Sequence, residues 1–186
     1  MGNAYIDNLV CKVIESSKAN TWDAAVLEWE ITDCIEDPSC TSTCICGKEN
    51  LKYRYTITNT KTYKHLIPIG SSCIHKFERK DLDEKTSLTE QTFRLLHAVE
   101  QNKYLTFSSD LFSRKLLLWL YNEKAFSTAY NGYNGIKDYE FMLKMFNKRD
   151  KSSITPAQDK RIKAILLNSI KPFLQRKLSD KIIKNR

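Results

Sequence analysis

Glycine and proline are scarce: 186 residues hold five of one and four of the other. The chain accordingly has no glycine-rich phosphate cradle, no nucleophile elbow and no low-complexity linker. Histidine occurs only three times. None of the three stands in a His-x-Glu or His-Glu-x-x-His pattern, so the usual sequence marks of a catalytic zinc and its general base are missing. The longest apolar run, Leu116 to Tyr121, is far too short to cross a bilayer. The opening Met1-Gly-Asn-Ala-Tyr-Ile-Asp7 lacks the basic-then-apolar order of a secretory leader. These absences predict a cytoplasmic binding protein with no membrane partner and no enzymatic activity.

Cysteine is the exception to this sparseness. Four of the six cysteines fall between Cys40 and Cys73, and Cys40, Cys44 and Cys46 lie within seven residues. In a reducing compartment such clustering favours metal over disulfides. A soft divalent ion, zinc above all, takes four thiolate or imidazole donors in a tetrahedron. Cys44-Ile-Cys46-Gly47 is a compressed knuckle whose glycine permits a tight turn. Cys73 follows Gly70-Ser71-Ser72 at a helix start, where the partial positive charge lowers a thiol's pKa. The expected structural zinc ligands are Cys40, Cys44, Cys46 and Cys73, with His75 and then His65 as alternatives to Cys40 for the fourth place. Cys34, in a strand, and Cys11, beside a helical stripe, read as packed thiols.

The periodicities predict an α+β protein. A helix over Tyr5 to Ser17 is followed by a short turn at Trp22, capped by Thr21. Val26 to Cys34 alternates as a strand, with Leu27, Trp29 and Ile31 inward and Glu28 and Glu30 on the solvent face. Two further strands, Tyr53 to Thr60 and Tyr63 to Ile69, form a hairpin. Ser71 or Ser72 caps a short helix running to Arg79. Lys80 to Thr86 reads as a charged connector, and Ser87-Leu-Thr-Glu90 as the capping box of a helix reaching Asn102. Ser108 or Ser109 caps a helix from Asp110 to Lys124 that is apolar nearly all round. Helices then follow over Ile136 to Asn147, from Thr155-Pro156 to Lys171, and from Phe173 to Lys184, with Pro172 either kinking the chain or restarting the helix. Two parts result: 1–86, an N-terminal helix with a zinc-stabilised β-hairpin module, and 87–186, a helical bundle.

Charge divides along the same line. Residues 1–86 carry 11 Lys and Arg against 13 Asp and Glu, while residues 87–186 carry 19 against 9. A basic half suits an acidic partner such as nucleic acid, although a solvated lysine-rich helical surface gives the same balance. Lys148, Arg149, Lys151, Lys160, Arg161 and Lys163 surround one loop and helix start, and Tyr130, Tyr133 and Tyr139 offer rings for stacking.

Knuckle, hairpin and helix-start ligand, in that order, resemble a treble clef or zinc ribbon, but both of the usual Cys-x-x-Cys pairs are altered: the first half is Cys-x-x-x-Cys-x-Cys, and the second has Cys73 alone with His75 two residues on. Glu28-Trp29-Glu30-Ile31, Cys44-x-Cys46-Gly47, Ile57-x-Asn59 and Ile69-Gly70-x-x-Cys73-Ile74-x-x-Phe77 resemble a small module of phages and mobile elements of Gram-positive bacteria. Its relatives often carry a further cysteine near Tyr53 or Tyr55, a place Cys40 would fill here. The tail residues Lys144 to Arg149 and Thr155-Pro-Ala-Gln158 share the likeness. The resemblance extends to zinc-containing anti-CRISPR proteins, and it implies a stoichiometric inhibitor of a type II CRISPR effector nuclease or its guide-RNA complex in the host cytoplasm. The alternative is a nucleic-acid-binding phage regulator or recombination accessory.

Overall fold

The computed structural model describes residues 4–101 and 110–183. It is α+β, with 59% helix against 13% strand. Two compact units divide the chain: Met1–Thr89 with Asp180–Arg186, and Glu90–Ser179.

The first unit starts with helix α1 (Ala4–Ser16), whose Leu9 and Val13 are buried. Cys11 is exposed, not packed, with its Sγ 3.1 Å from Glu15 Oε1. A single turn, α2 (Trp22–Ala25), leads into the antiparallel sheet β1 (Trp29–Glu36), β2 (Tyr53–Asn59) and β3 (His65–Ile69), ordered β1-β2-β3. Val26–Glu28 is a helical turn, so Leu27 is exposed and the strand begins later than its alternation suggests. The register shifts between Ile31 and Asp33. A bulge adds one residue and reverses the facing of the rest of the strand: Trp29 and Ile31 are buried before it, Cys34 and Glu36 after it. Tyr55, Ile57 and Ile69 complete the sheet's core face. The strand ends on Glu36, whose backbone oxygen accepts from Ile183 N–H at 2.8 Å.

Glu28 is not on the solvent face either. Its carboxylate is buried, accepting from the N–H groups of Lys18 and Ala19 and from Asn59 Nδ2 at 2.8–3.0 Å. Asn59 Oδ1 in turn accepts from Lys61 and Thr62 N–H, both at 2.8 Å. Thr62 Oγ1 reaches Ser16 O at 2.7 Å. One carboxylate and one amide thereby tie the end of α1, the start of β1 and the β2–β3 turn together. Asn59 lowers the Glu28 pKa, helped by the two N–H groups against the effect of burial.

The short helix α3 (Ser71–Ile74) continues as a tighter turn, His75–Phe77. Its N-cap is Gly70, not a serine. The expected connector 80–86 is already helical: α4 (Lys80–Glu100) is continuous through it, and Ser87 lies within α4 rather than capping it. The division between units falls inside α4. Side chains from its N-terminal end, Arg79 and Lys85, donate to the backbone oxygens of Val26, Trp29 and Ile31, capping the edge of β1.

The second unit packs Phe93, Leu95, Leu96 and Val99 of α4 with α5 (Arg114–Asn122), α6 (Ile136–Asn147), α7 (Pro156–Ile165) and α8 (Lys171–Leu178). The expected caps Ser108 and Ser109 lie outside the described residues. Ser113 caps α5, its Oγ accepting from Leu116 N–H at 3.0 Å. Leu118 is exposed, so α5 has one apolar face rather than a fully apolar circumference. Thr155 and Gln158 form the reciprocal box at α7, with Pro156 just inside it. Between α7 and α8 the chain stays helical through a widened turn, Leu166–Ile170. Pro172 cannot donate to the preceding turn, and the wide turn absorbs that loss.

Candidate metal centre

The loop between β1 and β2 is built from its first residue. Asp37 is buried, and its carboxylate accepts from Ser39 N–H at 3.1 Å, from Ser42 Oγ at 2.7 Å, from Thr41 Oγ1 at 3.3 Å and from the Ser39 hydroxyl. The Ser39 and Ser42 hydroxyls hold its pKa down to about 2. Ser42 then pairs with Leu51 across the loop, closing a second ring inside the first. Within it, Cys44 N–H donates to Lys48 O and Gly47 N–H to Cys44 O, both at 2.8 Å. Gly47 has φ +99°, a conformation side chains strongly disfavour. Two outside contacts anchor the knuckle: Ile45 N–H on Pro68 O at 2.9 Å, and Asn8 Nδ2 on Cys46 O at 3.2 Å.

That loop and α3 bring three sulfurs together. Cys73 Sγ lies 3.6 Å from Cys44 Sγ and 3.4 Å from Cys46 Sγ, and all three ligand atoms are within 4.8 Å of one another. A tetrahedral zinc with bonds near 2.3 Å separates its sulfurs by about 3.8 Å, so the spacing fits one ion. The residues are 4%, 1% and 9% exposed, and no disulfide joins them. Backbone donors face the sulfurs: Gly70 N–H to Cys44 Sγ at 3.4 Å, and Lys48 N–H to Cys46 Sγ at 3.5 Å. Such donors stabilise thiolate charge.

Electrostatics separates Cys44 from Cys73. Cys44 is held well below the ordinary thiol range by the hydrogen bond from Cys73, then by the N–H groups of Cys46 and Gly70, against burial. Cys73 is pushed up instead, chiefly because it donates to Cys44, with burial and Cys46 adding to the effect. Proximity to two other sulfurs outweighs the helix start expected to lower it. The three sulfurs are placed so that they could hold one metal ion, and soft sulfur donors suit zinc.

The fourth expected ligand is elsewhere. Cys40 is half-exposed at φ +53°, its Sγ 4.0 Å from Pro38 O and outside the three-sulfur group. The Asp37 turn fixes Ser39 and Ser42 on either side of it. Both alternatives have other partners: His75 Nδ1 contacts Asp83 Oδ1, and His65 Nδ1 lies 2.8 Å from Thr58 Oγ1. Cys34 is buried in β1, opposite Tyr55. The supporting donors Gly70, Lys48 and Asn8 act through the backbone or on it, and residue type alone does not reveal them. Gly70 had one sequence sign, its place directly before the Ser-Ser-Cys helix start.

The basic residues singled out by sequence are largely engaged locally. Lys148 Nζ contacts Ser153 O and Gln158 Oε1, and Lys151 Nζ contacts Met145 O. Arg161 pairs with Asp138 at 3.0 Å and Lys163 with Asp159 at 2.6 Å. Tyr139 stacks on Tyr121 with ring centres 4.7 Å apart, whereas Tyr130 and Tyr133 are exposed. Comparison with protein-family models, curated proteins and solved structures returns no match for this chain.

Proposed function

We propose that this chain is a non-catalytic binding protein whose first unit is fixed by a structural zinc ion, and that it inhibits a bacterial type II CRISPR effector nuclease loaded with guide RNA. The observation that carries the reading is the burial of Cys44 and Cys46 on the β1–β2 loop together with Cys73 on α3. A catalytic zinc keeps an open position beside a base. Here, among the described residues, no carboxylate or imidazole joins the three sulfurs as a candidate ligand. An ion so placed supplies folding free energy, because its ligands converge only in the folded chain.

The nuclease target is supported by the phage-like motifs around Trp29, Cys44, Cys46 and Cys73. Charge adds to it. The second unit holds 16 Lys and Arg against 8 Asp and Glu, which accounts for the whole formal charge of +8. A basic surface disfavours DNA mimicry and favours an acidic lobe or the guide RNA. The test mixes the zinc-loaded protein with an effector–guide complex. Comigration on a sizing column and loss of DNA cleavage at stoichiometric protein are expected. Separate elution with full cleavage contradicts the target while leaving the zinc role standing.

A further inference from the structure

We infer that the loop between α5 and α6 is a binding site for single-stranded nucleic acid, with Tyr130 and Tyr133 as stacking platforms for unpaired bases. The inference is independent of the nuclease target and rests on the loop itself. Its backbone is fixed at nearly every step. Thr128 O accepts from Tyr133 N–H at 2.8 Å and Asn131 N–H at 3.2 Å. Asn131 returns the contact, its Oδ1 accepting from Thr128 N–H at 3.0 Å. Its Nδ2 donates to Phe126 O at 2.7 Å and to Asp138 Oδ2 at 3.0 Å. Gly135 closes the loop against Phe126, where a Cβ would lie 2.7 Å from the Phe126 Cβ.

On this fixed frame the two rings face solvent. Tyr130 is 95% exposed and Tyr133 73% exposed. Tyr133 adopts φ +61°, a left-handed conformation that costs a non-glycine residue energy. Neither burial nor backbone geometry favours a large aromatic there, and an isolated exposed ring would need no explanation. Two rings three residues apart on a preorganised loop present apolar faces whose ordering cost is already met.

Charge identifies the occupant. Lys124 and Lys137 flank the loop in sequence; both are exposed, and neither has an ion pair or side-chain hydrogen bond among the described residues. Arg161, half-exposed, joins the loop base through Asp138, which also holds Asn131. Exposed aromatic faces with nearby cations are the elements of sequence-tolerant single-strand binding, bases on the rings and phosphates on the cations. A duplex hides its base faces and offers only phosphate contacts.

The test is fluorescence anisotropy of labelled oligothymidylate, single-stranded RNA and a matched duplex DNA, at low and at physiological salt. Wild type is expected to bind either single strand more tightly than the duplex. Tyr130→Ala with Tyr133→Ala should lose at least about tenfold in single-strand affinity, and the double phenylalanine variant should retain it. Lys137→Ala should reduce the salt dependence. The tyrosines are exposed, so unchanged circular dichroism and zinc content are expected in every variant. Three results overturn the inference: no single-strand binding at micromolar wild-type protein, equal affinity of the double alanine variant, or preference for the duplex. Binding of an effector protein through the tyrosines without any strand affinity is also a contrary result.

Discussion

Gly70 directs its backbone N–H at the sulfur of Cys44, 3.4 Å away, from the residue that also caps the helix carrying Cys73. One residue, through its N–H and its carbonyl, thus serves both halves of the cluster. It stabilises charge on the first sulfur and starts the turn that delivers the third, whose N–H it receives at 3.0 Å through its own oxygen. The knuckle and α3 are 29 residues apart between Cys44 and Cys73, and this contact, with Ile45 N–H on Pro68 O, sets their spacing.

Ligand substitutions should separate the four cysteines cleanly. Cys44→Ser, Cys46→Ser and Cys73→Ser should each lose zinc and unfold the first unit, because a structural zinc is worth about 10–16 kcal/mol and a whole domain about 5–15. Cys40→Ser and His75→Ala should keep one zinc per chain and change stability by less than about 1 kcal/mol. Elemental analysis with thermal unfolding checks both groups. Zinc loss in Cys40→Ser would restore it as the fourth ligand.

Chelation should act on one unit and spare the other. A strong chelator should abolish the near-ultraviolet signal of Trp29, which is fully buried on β1. The helices α5 to α8, which contain no cysteine, should keep their far-ultraviolet signal. Readdition of zinc should restore the first. A chelator that left both signals intact would remove the ion from the folding account.

Asp37 ties the start of the metal loop, and its titration has a definite sign. Its pKa is about 2 in the folded chain against an ordinary 3.8. The unfolded chain takes up the proton first as pH falls, so stability is full above about 4 and is lost progressively towards 2. Asp37→Asn should therefore destabilise at pH 7, and the penalty should shrink between pH 4 and pH 2.5. Denaturant melts of both proteins across that range test it. A constant penalty would mean that the hydroxyl contacts do not favour the charged form.

Two glycines of one loop should respond differently to alanine. Gly135→Ala places a Cβ 2.7 Å from Phe126 Cβ and 2.9 Å from its carbonyl carbon, where nothing can swing aside. A cost of about 2–3 kcal/mol is expected. Gly132 has open space around its would-be Cβ but φ +61°, so its alanine variant should lose only about 1 kcal/mol. Calorimetry distinguishes them, and equal losses would contradict the packing at Phe126.

Legibility in the sequence tracks which interactions are local. The Thr155-Pro156 start, the α1 helix and the strand from Tyr53 depend on neighbours in sequence, and they lie where expected. Cys44 and Cys46 were legible as a pair from their spacing, and Cys73, 27 residues beyond Cys46, from its place at a helix start. The bulge after Ile31, the buried role of Glu28 and the continuation of α4 through Lys80 to Thr86 depend on distant partners. Glu28 in particular looks like a solvent-facing residue until Asn59 and the Lys18–Ala19 backbone meet it. Cys40, close to Cys44 in sequence, lies outside the three-sulfur group, in a turn closed by its own N–H on Asp37 O.

X-ray absorption at the zinc edge of the purified protein addresses the central claim most directly. The account predicts one zinc per chain with at least three sulfur neighbours at about 2.3 Å, unchanged in Cys40→Ser. No bound zinc, or a first shell with fewer than three sulfurs, would contradict it.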